Sequence, residues 1–197
     1  MIDNSIQIRE LLKFPKETSF YFVQILQRRK ENPELEKNAR NVDNFFIYSF
    51  EDFDKYLPKI IDCCNRFNAR AYFRLNLRDA EVIAQRAIQK SFDLLISGNF
   101  RQVKNAYLHA CGEYHSDPDK TWVVDIDGIE GVRVATFRIR YKLQELYNGT
   151  HETPVVAELP TKNGMHIITR PVRLDVFKHE FPQIDVHKDN PTILYAP

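Results

Sequence analysis

From Thr121 to Tyr195 the spacing of apolar residues changes period in a fixed order, extended, helical, extended, extended, helical, extended, and no other feature of the chain restricts its fold as much. Thr121 to Asp127 is an apolar β-type run. Residues 132–147 carry Ala135, Ile139, Leu143 and Leu146 in helical phase and are closed by Asn148-Gly149. Pro154 to Leu159 and Met165 to Thr169 read as two strands joined by Pro160-Thr161-Lys162-Asn163-Gly164, in which Asn163-Gly164 is a hairpin-turn signal. A second helix over 173–181 buries Leu174 and Phe177, and Ile184-Asp185-Val186 and Ile193-Leu194-Tyr195 are the last extended pieces. The pattern predicts a β-α-β-β-α-β unit over about 121–195, ferredoxin-like or RRM-like, with two helices on one face of an antiparallel sheet and its first and third strands as central neighbours.

The preceding residues predict further α/β structure. A short helix over 4–13 ends at Pro15, and Phe20 to Leu26 is a strand candidate. Arg28-Arg29-Lys30 and the polar residues that follow, to about Asn44, read as a loop or mobile arm whose basic triplet can meet phosphate or simply face water. Phe45 to Ser49 is the next strand. Glu51 to Phe67 has helical spacing, with Pro58 the one objection to an unbroken helix. Ala69 to Leu75 alternates Ala71, Phe73 and Leu75 against Arg70, Tyr72 and Arg74. Together with Arg78, the arginines form a candidate phosphate-facing or nucleic-acid-binding row. A helix from Asp79 to about Ser97 follows, and over 99–120 the signal weakens to some helix and a Ser116-Asp117-Pro118-Asp119 turn. The expected organisation is one α/β (α+β) domain in two lobes, 1–120 and 121–197, with the segments over 45–97 packed onto the same body.

Charge narrows the classes of partner. Lys+Arg 28 against Asp+Glu 27 gives +1, so no global basic field holds this chain on nucleic acid, and any such contact must be local. No long apolar span points to a membrane. Three cysteines, two of them adjacent at Cys63 and Cys64, form no disulfide framework, and a reducing cytoplasm is the expected compartment. His109, Cys111 and His115 could share a zinc ion with Cys63 or Cys64, although the spacing matches no standard finger.

The chemistry concentrates at the end of the Thr121 to Asp127 run. Successive strand side chains face opposite ways, so Asp125 and Asp127 project from one face, about 7 Å apart along the backbone. A divalent cation, a basic partner or water can relieve their repulsion, and the plain alternative is an exposed strand end turning at Gly128. The central position of the first and third strands puts this pair beside His166, just after the Lys162-Asn163-Gly164 turn, which can meet a polyphosphate. Asp185 could close a third side. For His166 the alternative is a hydrogen-bonded sheet histidine, and for Asp185 an exposed edge acid.

Val124-Asp125-Ile126-Asp127, Gly164-Met165-His166 and Ile184-Asp185, in that order and on those elements, resemble the archaeo-eukaryotic primase superfamily, which includes primase-polymerases and the polymerase domains of bacterial end-joining ligases. The residues after Asp185, with Lys188, Asn190 and Thr192, are similar to the segment that follows the third acid in the end-joining polymerases. The resemblance spans about 69–197. It implies that Asp125, Asp127 and Asp185 bind two divalent cations, Mg²⁺ or Mn²⁺, and carry catalysis. It further implies that His166, Lys162, Asn163, Gly164, Lys188, Asn190 and Thr192 contact a nucleoside triphosphate, and that the reaction is nucleotidyl transfer on a nucleic-acid template or primer.

Two other functions compete. Asp125-Ile126-Asp127-Gly128 also looks like the nucleophile motif of haloacid-dehalogenase-type phosphatases, which would require a Rossmann-like core downstream and usually a threonine where Ile129 stands. The other is a non-catalytic module on the same fold that binds nucleic acid or a protein with its acids relict.

Overall fold

The computed structural model describes residues 1–115, 117–128, 131–189 and 191–197. Among the described residues, nine strands form two antiparallel sheets. The first runs in the order β1 (Ile2–Asp3), β9 (Thr192–Ala196), β4 (Arg70–Asp79), β2 (Ser19–Arg28), β3 (Ala39–Ile47). The second runs β6 (Val155–Pro160), β7 (Met165–Thr169), β5 (Trp122–Asp125), β8 (Asp185–His187). The helices are α1 (Ser5–Leu11), α2 (Phe50–Phe67), α3 (Ala80–Ile96), α4 (Ala106–Glu113), α5 (Val132–Leu146) and α6 (Leu174–Glu180), with a 3-10 turn at Phe100–Asn105. The class is α+β, and no helix among the described residues is long and apolar enough to cross a membrane.

Period-two patterning builds the first sheet. Tyr21, Val23 and Ile25 of β2, with Ala71, Phe73 and Leu77 of β4, face a core closed by Ile8 of α1 and by Phe53, Ile60 and Cys64 of α2. The alternate residues Phe20 and Phe22 face the opposite way, onto Ile83 and Ala87 of α3 and Ala110 and Cys111 of α4. Cys64 and Cys111 are therefore buried on opposite faces of one sheet, which removes the zinc site that would have joined them.

Helix α2 runs unbroken through Pro58, from a Ser49 cap whose hydroxyl accepts from the Asp52 N–H at 3.1 Å to Asn68, left-handed at φ 46°. The hydrogen bond that Pro58 forfeits is offset by burial of Phe53, Ile60 and Cys64 on the inner stripe. Of the polar residues expected as a loop over 28–44, residues 29–38 do form the connection, while Arg28 and residues 39–44 extend a hairpin that pairs from Tyr21↔Ile47 to Arg28↔Ala39. β3 is an edge strand with one face in water, so its backbone pairs although its side chains are mostly polar. β2 lies between β3 and β4 and is antiparallel to both, so β3 and β4 run parallel to each other and β3-α2-β4 is a βαβ-like unit split by an intervening strand.

In the second sheet β5 and β7 are the central pair. Val124, Ile126 and Ile167 pack onto Ile139, Leu143 and Leu146 of α5 and onto Phe177 of α6. The other face turns toward the first sheet, and Val123, Leu159 and Ile168 enter its core, where burial of each contributes about 1.5–3 kcal/mol. β9 departs from the expected unit. After β8 the chain crosses to the first sheet and inserts between β1 and β4, because Ile193, Leu194 and Tyr195 find apolar partners there.

Candidate functional site

The alternation that sends Val124 and Ile126 into the helix-covered core sends Val123 and Asp125 the other way, toward the first sheet. Past the end of β5 the backbone stays zipped to the β6–β7 turn. The Ile126 N–H donates to the Met165 carbonyl at 2.9 Å and the Gly128 N–H to the Asn163 carbonyl at 3.3 Å. A Cβ on Gly164 would lie 2.0 Å from the Ile126 carbonyl oxygen and 2.9 Å from both Cα and Oδ1 of Asp127. Gly164 is thus required by close approach. Neither it nor Asn163 has positive φ, so the turn is not the two-residue type that Asn-Gly suggests; four residues, 161–164, span the strands.

This packing fixes both acids. The Thr161 hydroxyl donates to Oδ1 of Asp127, and the Asp127 N–H donates to Oδ1 of Asp125 at 3.1 Å. On β7, His166 is the register partner of Asp125, with Nε2 3.8 Å from Asp125 Oδ1. Its Nδ1 pairs with the Thr192 hydroxyl at 2.9 Å. Burial pushes the His166 pKa below its usual value, and the Asp125 and Asp127 charges only partly restore it. Burial likewise raises Asp125, against the pull of His166.

Asp125, Asp127, His166 and Asn163 line one wall of a cleft of about 440 Å³. The opposite wall comes from the first sheet and its β2–β3 turn, with Arg28, Lys30, Glu31, Arg70 and Tyr72. Arg28 donates to the Tyr72 hydroxyl at 3.1 Å, and Arg70 forms an ion pair with Glu31, whose carboxylate also has Lys162 at 3.9 Å. Acids and imidazole thus face guanidinium and ammonium groups across one space.

The other expected site residues are placed differently. Asp185 is the register partner of Asp125 on β8, yet its side chain is 75% exposed, 3.8 Å from Lys178, and does not line the cleft. His187, two residues on and on the same face, does line it. Thr192 is buried and serves the His166 ring. Lys188 is exposed, its ammonium 5.6 Å from the Trp122 ring centroid. Asn190 lies outside the described residues.

Of the arginine row, only Arg70 reaches the cleft. Arg78 is completely buried, donating to the Cys111 and Asn76 carbonyls and, at 2.8 Å, to Asp189. Arg74 lies 3.6 Å from the same carboxylate, which also accepts from the Asn76 amide at 2.9 Å. Burial lowers both guanidinium pKa values and Asp189 opposes it. Arg74 and Arg78 therefore clamp the β8–β9 link and offer no phosphate-facing surface.

Glu31, Tyr72, Thr161 and His187 escaped the sequence reading. His187 was within its reach, since period two places it beside Asp185 on one face. The others come together only through pairing between distant strands.

Among the described residues, no three His, Cys, Asp or Glu side chains gather closely enough to hold a metal ion by themselves. The three-acid, two-cation set does not fit the side chains as they stand, because Asp185 faces water. Asp125 and Asp127 do fit a hard cation that arrives with phosphate oxygens of its own, the mode in which Mg²⁺ is usually held.

No protein-family model, curated protein or solved structure matches the chain.

Proposed function

We propose that the cleft binds a nucleoside triphosphate together with Mg²⁺ or Mn²⁺, and that the chain is a primase-polymerase-like nucleotidyltransferase acting on nucleic acid. One observation carries the reading. A strand end bearing Asp125 and Asp127, with His166 beside it, faces Arg28, Lys30 and Arg70 across a single cleft. A triphosphate needs positive groups along its oxygens and carboxylates for its cation, and the two walls offer one kind each.

In the transfer, a 3′ hydroxyl oxygen attacks the α-phosphorus and gives up its proton to water, a new P–O bond forms, the α–β bridging P–O bond breaks and pyrophosphate leaves. The cation, when bound, supplies positive charge to the attacking and leaving oxygens. Asp125 and Asp127 would hold it, while His166, whose pKa burial lowers and whose ring Thr192 orients, can contact a phosphate oxygen through Nε2. Arg28, Lys30 and Arg70 balance the triphosphate charge. Lys162, across the turn, can follow.

The outward side chain of Asp185 favours a second reading, a module that binds nucleotide or nucleic acid without catalysis. The all-antiparallel pairing of β5 gives the phosphatase reading no Rossmann-like sheet to rest on.

Thermal unfolding with millimolar nucleoside triphosphate and Mn²⁺ or Mg²⁺ tests binding, and extension of a labelled primer tests transfer. A rise in melting temperature that is lost in Asp125→Ala with Asp127→Ala supports the site. An unchanged melting curve rejects it, and a shift without extension selects the binding module.

A further inference from the structure

The solvent face of α5 stands out. Val134, Phe137 and Tyr141, at i, i+3 and i+7, are 67%, 71% and 71% exposed, although large apolar side chains elsewhere on this helix are buried. Basic residues surround them. Between Val132 and Leu146 the chain carries Arg133, Arg138, Arg140 and Lys142 against the single acid Glu145, in a protein whose net charge is only +1. Lys142 is taken by Glu145 and Glu180, and Arg140, 55% exposed, lies 3.2 Å from Glu158. Arg133 and Arg138 are exposed, the latter with its guanidinium 5.9 Å from the Phe181 ring centroid.

We propose that this face of α5 binds single-stranded nucleic acid, with Phe137 and Tyr141 as stacking platforms for bases and Arg133, Arg138 and Arg140 as phosphate contacts. Flat rings interleaved with guanidinium groups are the chemistry of sequence-tolerant strand binding, because every base offers a π-face and every linkage a phosphate. Side chains at i and i+4 on a helix stand about 6 Å apart, so the two rings can engage neighbouring bases. Charge complementarity selects a polyanion as the occupant. The choice of nucleic acid over an anionic membrane rests on the nucleotidyltransferase reading and on the make-up of the stripe, in which Val134 is the one aliphatic member beside two aromatic rings. α5 opens five residues after Asp127, so a strand lying along it reaches the edge of the sheet where the acids stand. The arginines that bind the strand are then those of α5, while Arg74 and Arg78 on β4 are structural.

Fluorescence anisotropy with a labelled 20-mer of deoxythymidine and its uridine counterpart tests this on the full chain. Phe137→Ala with Tyr141→Ala should weaken binding tenfold or more, and Phe137→Trp with Tyr141→Trp should retain it. Arg133→Gln with Arg138→Gln should flatten the slope of log K against log salt by about 0.7 per arginine. Because all four side chains are exposed, circular dichroism and melting temperature should match the parent. Absent oligonucleotide binding at 50 mM salt, or binding indifferent to the alanine pair, overturns the proposal. So does capture of vesicles of three parts phosphatidylcholine to one part phosphatidylserine without oligonucleotide binding. The nucleotide-dependent melting shift is scored separately. Its loss with oligonucleotide binding intact sinks the enzymatic reading and leaves the α5 surface standing.

Discussion

His166 and Asp125 are register partners across the central strand pair of the second sheet, and the ring between them is held from the far side by Thr192 of the first. Thr192→Val keeps the shape of that contact and leaves a buried imidazole nitrogen without a partner. The expected loss of stability is about 1–3 kcal/mol by urea unfolding. If the reading of the cleft is right, nucleotide affinity falls with it.

The same ring makes stability depend on pH. His166 titrates lower in the folded protein than in the unfolded chain, whose value is near 6.5, so the unfolded state binds more protons in the window just below that value. Stability is complete above pH 6.5 and falls as the solution is acidified toward the folded-state value. Asp125 acts with the opposite sign, because its folded pKa is raised above the ordinary 3.8 and its contribution, present at low pH, is lost as pH rises through the folded value. Urea midpoints at pH 7.5 and 5.5 should differ less in His166→Gln than in the parent.

Two glycines near the same turn should respond unequally to alanine. At Gly164 the added Cβ meets backbone atoms of Ile126 and Asp127 that cannot step aside, and a loss of at least about 3 kcal/mol is expected, together with displacement of Asp127. Gly128 has φ +69° with open space around its Cβ position, so Gly128→Ala costs only the left-handed strain, about 1 kcal/mol. Equal effects in chemical denaturation would contradict the zipped turn.

Asp189 neutralises two guanidinium groups, one of them wholly buried. Asp189→Ala should cost about 3–5 kcal/mol, since a broken buried pair leaves a charge without compensation. Lys13→Ala, which touches only the weak exposed pair with Asp119 at 3.9 Å, serves as the control and should change the unfolding free energy by less than about 1 kcal/mol.

What the sequence disclosed, it disclosed through local period. The helical phase of Ile139, Leu143 and Leu146 and the two-residue phase of the Thr121 to Asp127 run mark elements of the second sheet and a shared side for Asp125 and Asp127, both of which line the cleft. The alternation on β4 likewise put Arg70, Arg74 and Arg78 on one face, but whether that face meets water depends on Asp189, 111 residues further on from Arg78. No local pattern carries that information. The same holds for β9, whose apolar residues declare an extended segment without declaring which sheet receives it. Phe45 to Ile47 declared the end of β3, but residues 39–44 did not, for another reason: an edge strand needs backbone pairing more than apolar side chains, and these residues imitate a loop.

The placement of β9 has a further consequence for any attempt to divide the molecule. Cutting before Thr121 leaves the amino-terminal fragment with bare hydrogen-bonding edges on β1 and β4, and leaves the other fragment with a dangling strand that has no sheet of its own. The halves should therefore be insoluble or unfolded apart and regain structure when mixed, behaving as a split protein reconstituted by its last five-residue stitch.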